Sequence, residues 1–336
     1  MSGGARRLAA RPALLFVSWG AVAGRSAEIA GALGGEARTY FAPGSGRRPP
    51  AALRYVLASA LTGATLLARR PRVVLMTNPP VPAAFVTWCW ARLVGAALVL
   101  DSHPGAFGAQ GDHLSARLQW LHRFVARRSA FCLVADEPWR ERLADWGVDA
   151  MVVHEAPAGW DSPVKSPAAR LRVLCVGRFA RDEPVGAIID AAHLVPEMDL
   201  LLTGDIDACP LELRRAAPDN VTFVGFLDAP AYRQAVVDAD AILTLTTEPA
   251  SVMRAAYEAV YARRPLVVSD SPVDRALFPS AVHVRHTGEA LAEGLRRLAA
   301  DYPSFSAAAE LARATQLERW EGQRAELGRR LDALRR

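Results

Sequence analysis

The chain has 336 residues, 51% of them apolar and 22% charged, with a formal net charge of +5. That length and apolar content fill two ordinary hydrophobic cores, and charge spread along the chain excludes wholesale disorder. The basic excess is uneven, 18 Arg and Lys against 10 Asp and Glu in residues 1–160 and 22 against 25 afterwards; because the bases are not interleaved with aromatics, no nucleic-acid partner is expected.

At the start, Arg6, Arg7 and Arg11 precede the apolar "PALLFVSWGAVAG", an order that imitates a signal peptide. The run breaks at Ser18 and Gly20 and continues as "RSAEIAGALGG", so a strand, a glycine turn and a helix are expected. Residues 46–72, "GRRPPAALRYVLASALTGATLLARRPR", read as a helix bearing Leu53, Val56, Leu57, Leu61 and Leu67 and flanked by Arg47, Arg48, Arg69, Arg70 and Arg72. Such a helix either rests on an anionic membrane surface or packs on a sheet with its arginines exposed.

The strand "VVLMT" leads to Asn78-Pro79-Pro80. The long apolar stretch that follows, residues 81–101, is interrupted by Arg92 and Gly95. A helix and a short buried strand "ALVLD" use these residues without placing a charge in lipid, so no transmembrane span is expected. Further on come "AFCLVA" and "AMVVH", then the aperiodic "EAPAGWDSPVKSPAAR" as a linker. Beyond it lie "LRVLCVG", "DLLLTG", "VTFVG", "AILTLT", "PLVVSD" and "AVHVR". Strands apolar on both faces belong to parallel sheets covered by helices. The expected class is α/β, with two doubly wound, Rossmann-like domains facing across a cleft, residues 10–157 and 168–303. Residues 304–336 are expected as helices with Leu311, Leu317, Trp320, Leu327 and Leu331 buried.

Cys89, Cys132, Cys175 and Cys209 show no C-x-x-C spacing. Small buried side chains in a reducing, cytoplasmic setting are expected.

Ligands of open α/β sheets sit beyond the carboxyl ends of the strands, which singles out Gly20, Asn78, Ser102-His103, Gly177-Arg178, Gly204-Asp205 and residues 246–251. Arg178 can clamp a diphosphate with its planar fork, or serve as a solvated cap. His103, two residues after Asp101, can act as base or as a donor to a sugar hydroxyl, or be structural. In "TTEPASVMRAAYEAVYARRPLVVSD", residues 246–270, a loop enters a helix expected to begin near Val252, whose amino-terminal N–H groups and dipole favour a phosphate. Glu258 within that helix either accepts from the hydroxyls of a ribose or is a solvent-facing carboxylate paired with Arg254.

The ordered series "VGRF…DE…AIIDA", "LLLTG", "NVTFVGFLDAPAYRQAVVDADAILTLT" and "RAAYEAVYARRPLVVSD" resembles the carboxyl-terminal half of the GT-B glycosyltransferases of the family-4 type, over most of residues 171–300. Residues 10–155, through "TNPP" and "LVLDSH", are similar to the eukaryotic chitobiosyldiphosphodolichol β-mannosyltransferase and bacterial look-alikes. The resemblance implies a hexosyltransferase, with mannose as a candidate sugar, that uses a GDP- or UDP-linked sugar as co-substrate and a glycan or polyprenyl-linked acceptor. It implies no cofactor and no divalent metal, and no Asp-x-Asp metal site is expected. Carried over residue by residue, Arg178 meets the donor diphosphate, Glu258 the ribose, and Ser251, Val252 and Arg254 the phosphate end, with Gly204 beside them. His103 stands at the reacting centre, and Gly20, Asn78 and Asp101 on the acceptor side.

The pattern also has departures. The family's first glutamate, eight residues before Glu258, is Ala250 here, with Glu248 two residues upstream, and the lysine five residues after the arginine of "VGR" is Glu183. The β-mannosyltransferase pattern shares both. Two rival readings are a catalytically silent subunit of a partner transferase and a nucleotide-sugar epimerase of the same fold. The location implied is cytoplasmic or peripheral at the inner membrane face, and the last helix is implied to brace the amino-terminal domain.

Overall fold

The computed structural model describes residues 14–20, 24–40, 51–109, 113–157, 159, 160 and 162–336. The expectations attached to Arg6, Arg7, Arg11, Arg47 and Arg48 lie outside the described residues. Two compact units divide the chain: residues up to Ala156 together with Gln323–Arg336, and Pro157–Gly322.

The first unit is built on six strands, β1 (Leu14–Ser18), β2 (Glu36–Thr39), β3 (Val73–Asn78), β4 (Ala97–Ser102), β5 (Phe131–Val134) and β6 (Ala150–Val152). They lie in the order β2-β1-β3-β4-β5-β6, and every neighbouring pair is parallel. The central strands are apolar because helices cover both of their faces. β2, "EART", is the strand that sequence pattern misses; it pairs on one side only and is half solvated, so nothing demands an apolar run there. The apolar stretch after β3 resolves into the helix Val81–Val94 and β4. Gly95, at φ 72°, closes the helix by donating to the carbonyls of Ala91 and Arg92, the left-handed stop that glycine adopts without penalty.

The second unit holds β7 (Arg172–Cys175), β8 (Asp199–Thr203), β9 (Val221–Gly225), β10 (Ala241–Thr244), β11 (Leu266–Ser269) and β12 (Val282–Val284). Their order is β12-β11-β10-β7-β8-β9, again all parallel. One face packs on the helices Val185–Leu194 and Gly288–Ala300. The other packs on Ala229–Asp238 and Arg254–Tyr261. Both sheets are therefore doubly wound Rossmann-like layers. The strand order reverses between β1 and β3 in the first and between β7 and β10 in the second, and at such a switch point the two adjoining loops diverge and leave a crevice.

The helix Tyr302–Arg335 ends the chain, and within the first unit its Gln323 Oε1 accepts from the backbone N–H of His154. Trp320, Leu327 and Leu331 are buried as expected, whereas Leu311 is 71% exposed. The inward positions of that turn are taken by Ala309 and Gln316, both buried, which leaves Leu311 on the outer side. Cys132, Cys175 and Cys209 are buried, Cys89 is exposed, and all four are free thiols.

Candidate active site

In the first unit the end of β4 organises two networks. Side chains alternate across a strand, so Asp101 and Ser102 leave β4 on opposite faces. On one face the buried Arg25, from the helix Gly24–Ala32, donates to Asp101 through Nε (3.0 Å to Oδ2) and Nη2 (3.2 Å to Oδ1). Its Nη1 reaches Glu155 Oε1 at 3.1 Å, and Nη2 also donates to the carbonyl of Val153 at 2.7 Å. Burial opposes the charge on Asp101, but Arg25 and then His103 outweigh it and hold its carboxyl well below the usual range. Burial likewise opposes the charge on Arg25, and Asp101 and Glu155 more than restore it.

His103 Nε2 lies 3.0 Å from Asp101 Oδ2. An ionised carboxylate can only accept, so Nε2 carries the hydrogen of this contact. The ring is part-exposed, which is the arrangement of a base oriented by a buried carboxylate.

On the other face Asn78 and Ser102, register partners on β3 and β4, are joined by Asn78 Nδ2 donating to Ser102 Oγ at 3.3 Å. Ser102 Oγ lies 3.1 Å from His122 Nε2, and His122 Nδ1 lies 3.1 Å from the carbonyl of Ala106. The carbonyl requires Nδ1–H, so the serine hydroxyl donates to Nε2. Burial pushes the His122 imidazole down to about 4, against the smaller pull of the Ala106 carbonyl. Of the residues expected on the acceptor side, Asn78, expected to face the acceptor, and Asp101 are both buried, Asn78 against Ser102 and Asp101 beneath His103. Each therefore acts on the strand end from below. Gly20 follows β1 at the switch point, its N–H bonded to Ser18 Oγ at 3.2 Å.

In the second unit the loop after β7 and the loop after β10 are tied together. Asp182 accepts from Thr246 Oγ1 at 2.8 Å, and its carbonyl accepts from the N–H of Thr247 at 2.7 Å. Ser269, at the end of β11, bonds both the N–H and the carbonyl of Thr246 at 2.9 Å. The loop that carries the exposed Arg178 is thus joined, through Asp182, to the loop that leads from β10 toward residue 254. The helix begins at Arg254, two residues later than expected, and no side chain caps it; Ser251 and Val252 belong to the approaching loop. Gly204, at φ 134°, admits the Arg178–Phe179 loop: a Cβ there would stand 2.8 Å from the Phe179 ring and 3.1 Å from Arg178 Cα.

Glu258 is paired with Arg254, whose Nε donates to Oε1 at 2.8 Å, but it does not face solvent, being only 8% exposed. Tyr232 Oη donates to its other oxygen at 2.5 Å. Burial and the Glu258 charge push the Tyr232 phenol up, so it stays a donor. Each carboxylate oxygen keeps a second acceptor position, which suits a pair of hydroxyls. Glu183, in the lysine position, turns back: its Oε2 accepts from the N–H groups of Arg178 (2.8 Å) and Ala180 (3.2 Å). Burial pushes its carboxyl up.

Arg25, Glu155, Tyr232, Asp182 and the Ser102–His122 pair were not indicated by sequence pattern. Two Asp-x-Asp triplets, Asp205-Ile206-Asp207 and Asp238-Ala239-Asp240, do occur, contrary to expectation. Asp205 caps its own short turn through the N–H of Asp207, and Asp240 is buried against Lys165. Among the described residues no three His, Cys, Asp or Glu are grouped to hold a metal ion.

Residues 3–159 match the glycosyl transferase 4-like domain and residues 170–301 the glycosyl transferases group 1 domain. The chain belongs to the glycosyltransferases of GT-B fold. Its structure is similar to that of HepE from Anabaena, solved with UDP and glucose, at 15% identity and TM-score 0.72, covering 96% of this chain and 99% of that one. It is also similar to the sucrose-phosphate synthase of Thermosynechococcus elongatus, at 16% identity and TM-score 0.74, covering 96% and 98%. A putative UDP-N-acetylglucosamine 2-epimerase from Listeria monocytogenes shares the fold at 11% identity and TM-score 0.61, covering 89% and 91%. No curated protein matches the sequence significantly.

Proposed function

We propose that the chain transfers a hexosyl group from a UDP- or GDP-linked sugar to a hydroxyl of a glycan or polyprenyl-linked acceptor. The observation that carries this reading is the tie, at the switch point of the second sheet, between the loop that carries Arg178 and the loop that leads into the Arg254–Tyr261 helix, made through Asp182 and Thr246–Thr247, with Glu258 buried one turn inside that helix. An arginine and a helix amino terminus stabilise the negative charge that grows on the leaving nucleotide diphosphate, and Glu258 accepts from the ribose hydroxyls. HepE, which was solved with UDP and glucose, makes UDP the first nucleotide to try.

In the transfer, the bond from the anomeric carbon to the diphosphate oxygen breaks, and the electron pair leaves with the nucleotide. A new bond forms to the acceptor oxygen, whose proton passes to His103 Nδ1. Asp101 keeps the imidazole oriented and stabilises it once charged. The test follows transfer of labelled sugar from UDP- and GDP-hexoses to polyprenyl-linked and free glycan acceptors. The reading predicts turnover that falls by about 100-fold or more in His103→Ala, with nucleotide affinity within a factor of about two. Unchanged turnover in the variant removes His103 from the chemistry.

A second reading, a silent subunit of a partner transferase, draws support from Glu183, which stands where the pattern has a lysine and turns its carboxylate onto the N–H groups of Arg178 and Ala180. Failure to bind any nucleotide, with a stable complex to another transferase, favours it.

A further inference from the structure

The helix Ala51–Arg69 is amphipathic in an unusual sense, because both of its faces are apolar. Its inner side packs through Ala58, Thr62 and Leu66, all buried. Gly63 lies so close to Trp90 that an added Cβ would stand 2.4 Å from the indole ring. Its outer side is Leu53, Val56, Leu57, Leu61 and Leu67, each between 45% and 65% exposed. Ala52, Ala60, Ala64 and Ala68 fill the exposed positions between them. The result is a stripe about five turns long on which every exposed residue is apolar, where a surface helix ordinarily presents charge.

The helix Val81–Val94 packs beside this one, and the helix Gln119–Ala126 packs beside Val81–Val94 in turn. They add two more large exposed apolar side chains, Leu93 and Trp120, 68% and 67% exposed. Between Ala51 and Arg128 the sequence carries nine arginines and two acidic residues, Asp101 and Asp112; Asp101 is buried under Arg25. Arg70, Arg92, Arg117, Arg123 and Arg128 are exposed.

We propose that these three helices form a docking face for an anionic lipid bilayer. The charge pattern chooses the occupant. A second copy of the chain brings the same arginines to the same face, so self-association sets like charges against one another. A bilayer offers apolar depth for the leucine stripe, anionic headgroups for the surrounding arginines, and an interfacial layer that suits an exposed tryptophan. Among the described residues no helix is long and apolar enough to cross a membrane, so the face lies on the surface. The inference does not rest on the transferase reading.

Co-sedimentation of the full chain with phosphatidylglycerol–phosphatidylcholine vesicles, against pure phosphatidylcholine vesicles, tests it. The chain is expected to pellet with the anionic vesicles and to be released by salt. Leu57→Glu with Leu61→Glu is expected to lower partitioning about tenfold or more while the thermal midpoint stays put. Should that variant fold poorly, Arg92→Gln with Arg123→Gln reads the charge alone, with an expected several-fold loss of preference for anionic vesicles. The proposal is overturned by a wild-type chain left in the supernatant, by a folded Leu57→Glu/Leu61→Glu variant that pellets like wild type, or by equal binding to both vesicle types. It is also overturned by a dimer in sedimentation equilibrium that dissociates in the leucine variant without any vesicle binding, which would name a second copy as the occupant.

Discussion

Asp101 is a charged side chain held almost wholly out of solvent. Its burial alone opposes ionisation, yet Arg25 makes a two-point contact from one side and His103 donates from the other, so the carboxylate is fixed in charge and direction. Breaking a buried pair of this kind costs about 3–5 kcal/mol, because the partner charge is left uncompensated. His122 is the opposite case, a buried imidazole kept neutral. Its folded value, about 4, lies below the 6.5 of a free histidine, so in acid the unfolded chain takes up the proton first. The stability it supports is complete above about pH 6.5 and is lost as pH falls toward 4, by roughly 3 kcal/mol in all. Urea unfolding of wild type and His122→Gln at the two ends of that window checks this. The wild type is expected to lose that much more than the variant, and equal losses would contradict the assignment of His122 as a neutral, hydroxyl-accepting group.

At the scale of elements, the strand ends do the positioning, and much of this was legible in the sequence. Among the described residues eleven of the twelve strands are apolar runs, because covered parallel strands must be; β2 escapes since an edge strand need bury little. Arg178 and His103 stand out in the sequence because a polar residue just beyond an apolar strand is a local pattern, and Arg254 and Glu258 because a loop running into a helix is another. Arg25 and Tyr232 do not, since their partners lie 76 and 26 residues away and no local spacing records a contact made by folding. Gly204 sits between these cases: the sequence marks it as a strand end, and the structure gives the reason for glycine. Gly204→Ala forces a Cβ into Phe179 and the Arg178 backbone at a φ that alanine avoids, so the loop carrying Arg178 must shift. Titration with the preferred nucleotide is expected to show affinity reduced about tenfold, with the fold retained by circular dichroism. Unchanged affinity would mean that the Arg178 loop takes no part in binding.

For the whole molecule, each doubly wound unit carries its own candidate groups: the first the Asp101–His103 pair and the exposed leucine stripe, the second the Arg178 loop and the Glu258 helix. Family membership accounts for the shared fold, while Ala250 and Glu183 mark where this chain departs from the pattern it resembles. The structure adds what one departure does locally, since the Glu183 carboxylate accepts from the N–H groups of Arg178 and Ala180 and braces that loop. The account stands or falls on whether the second unit is a nucleotide site. Calorimetric titration of the full chain with UDP and with GDP, repeated on a Glu258→Ala variant verified as folded, tests this most directly. The account predicts that one of the two nucleotides binds and that the variant weakens it about tenfold or more. Binding of neither nucleotide, or equal binding by the variant, would contradict it.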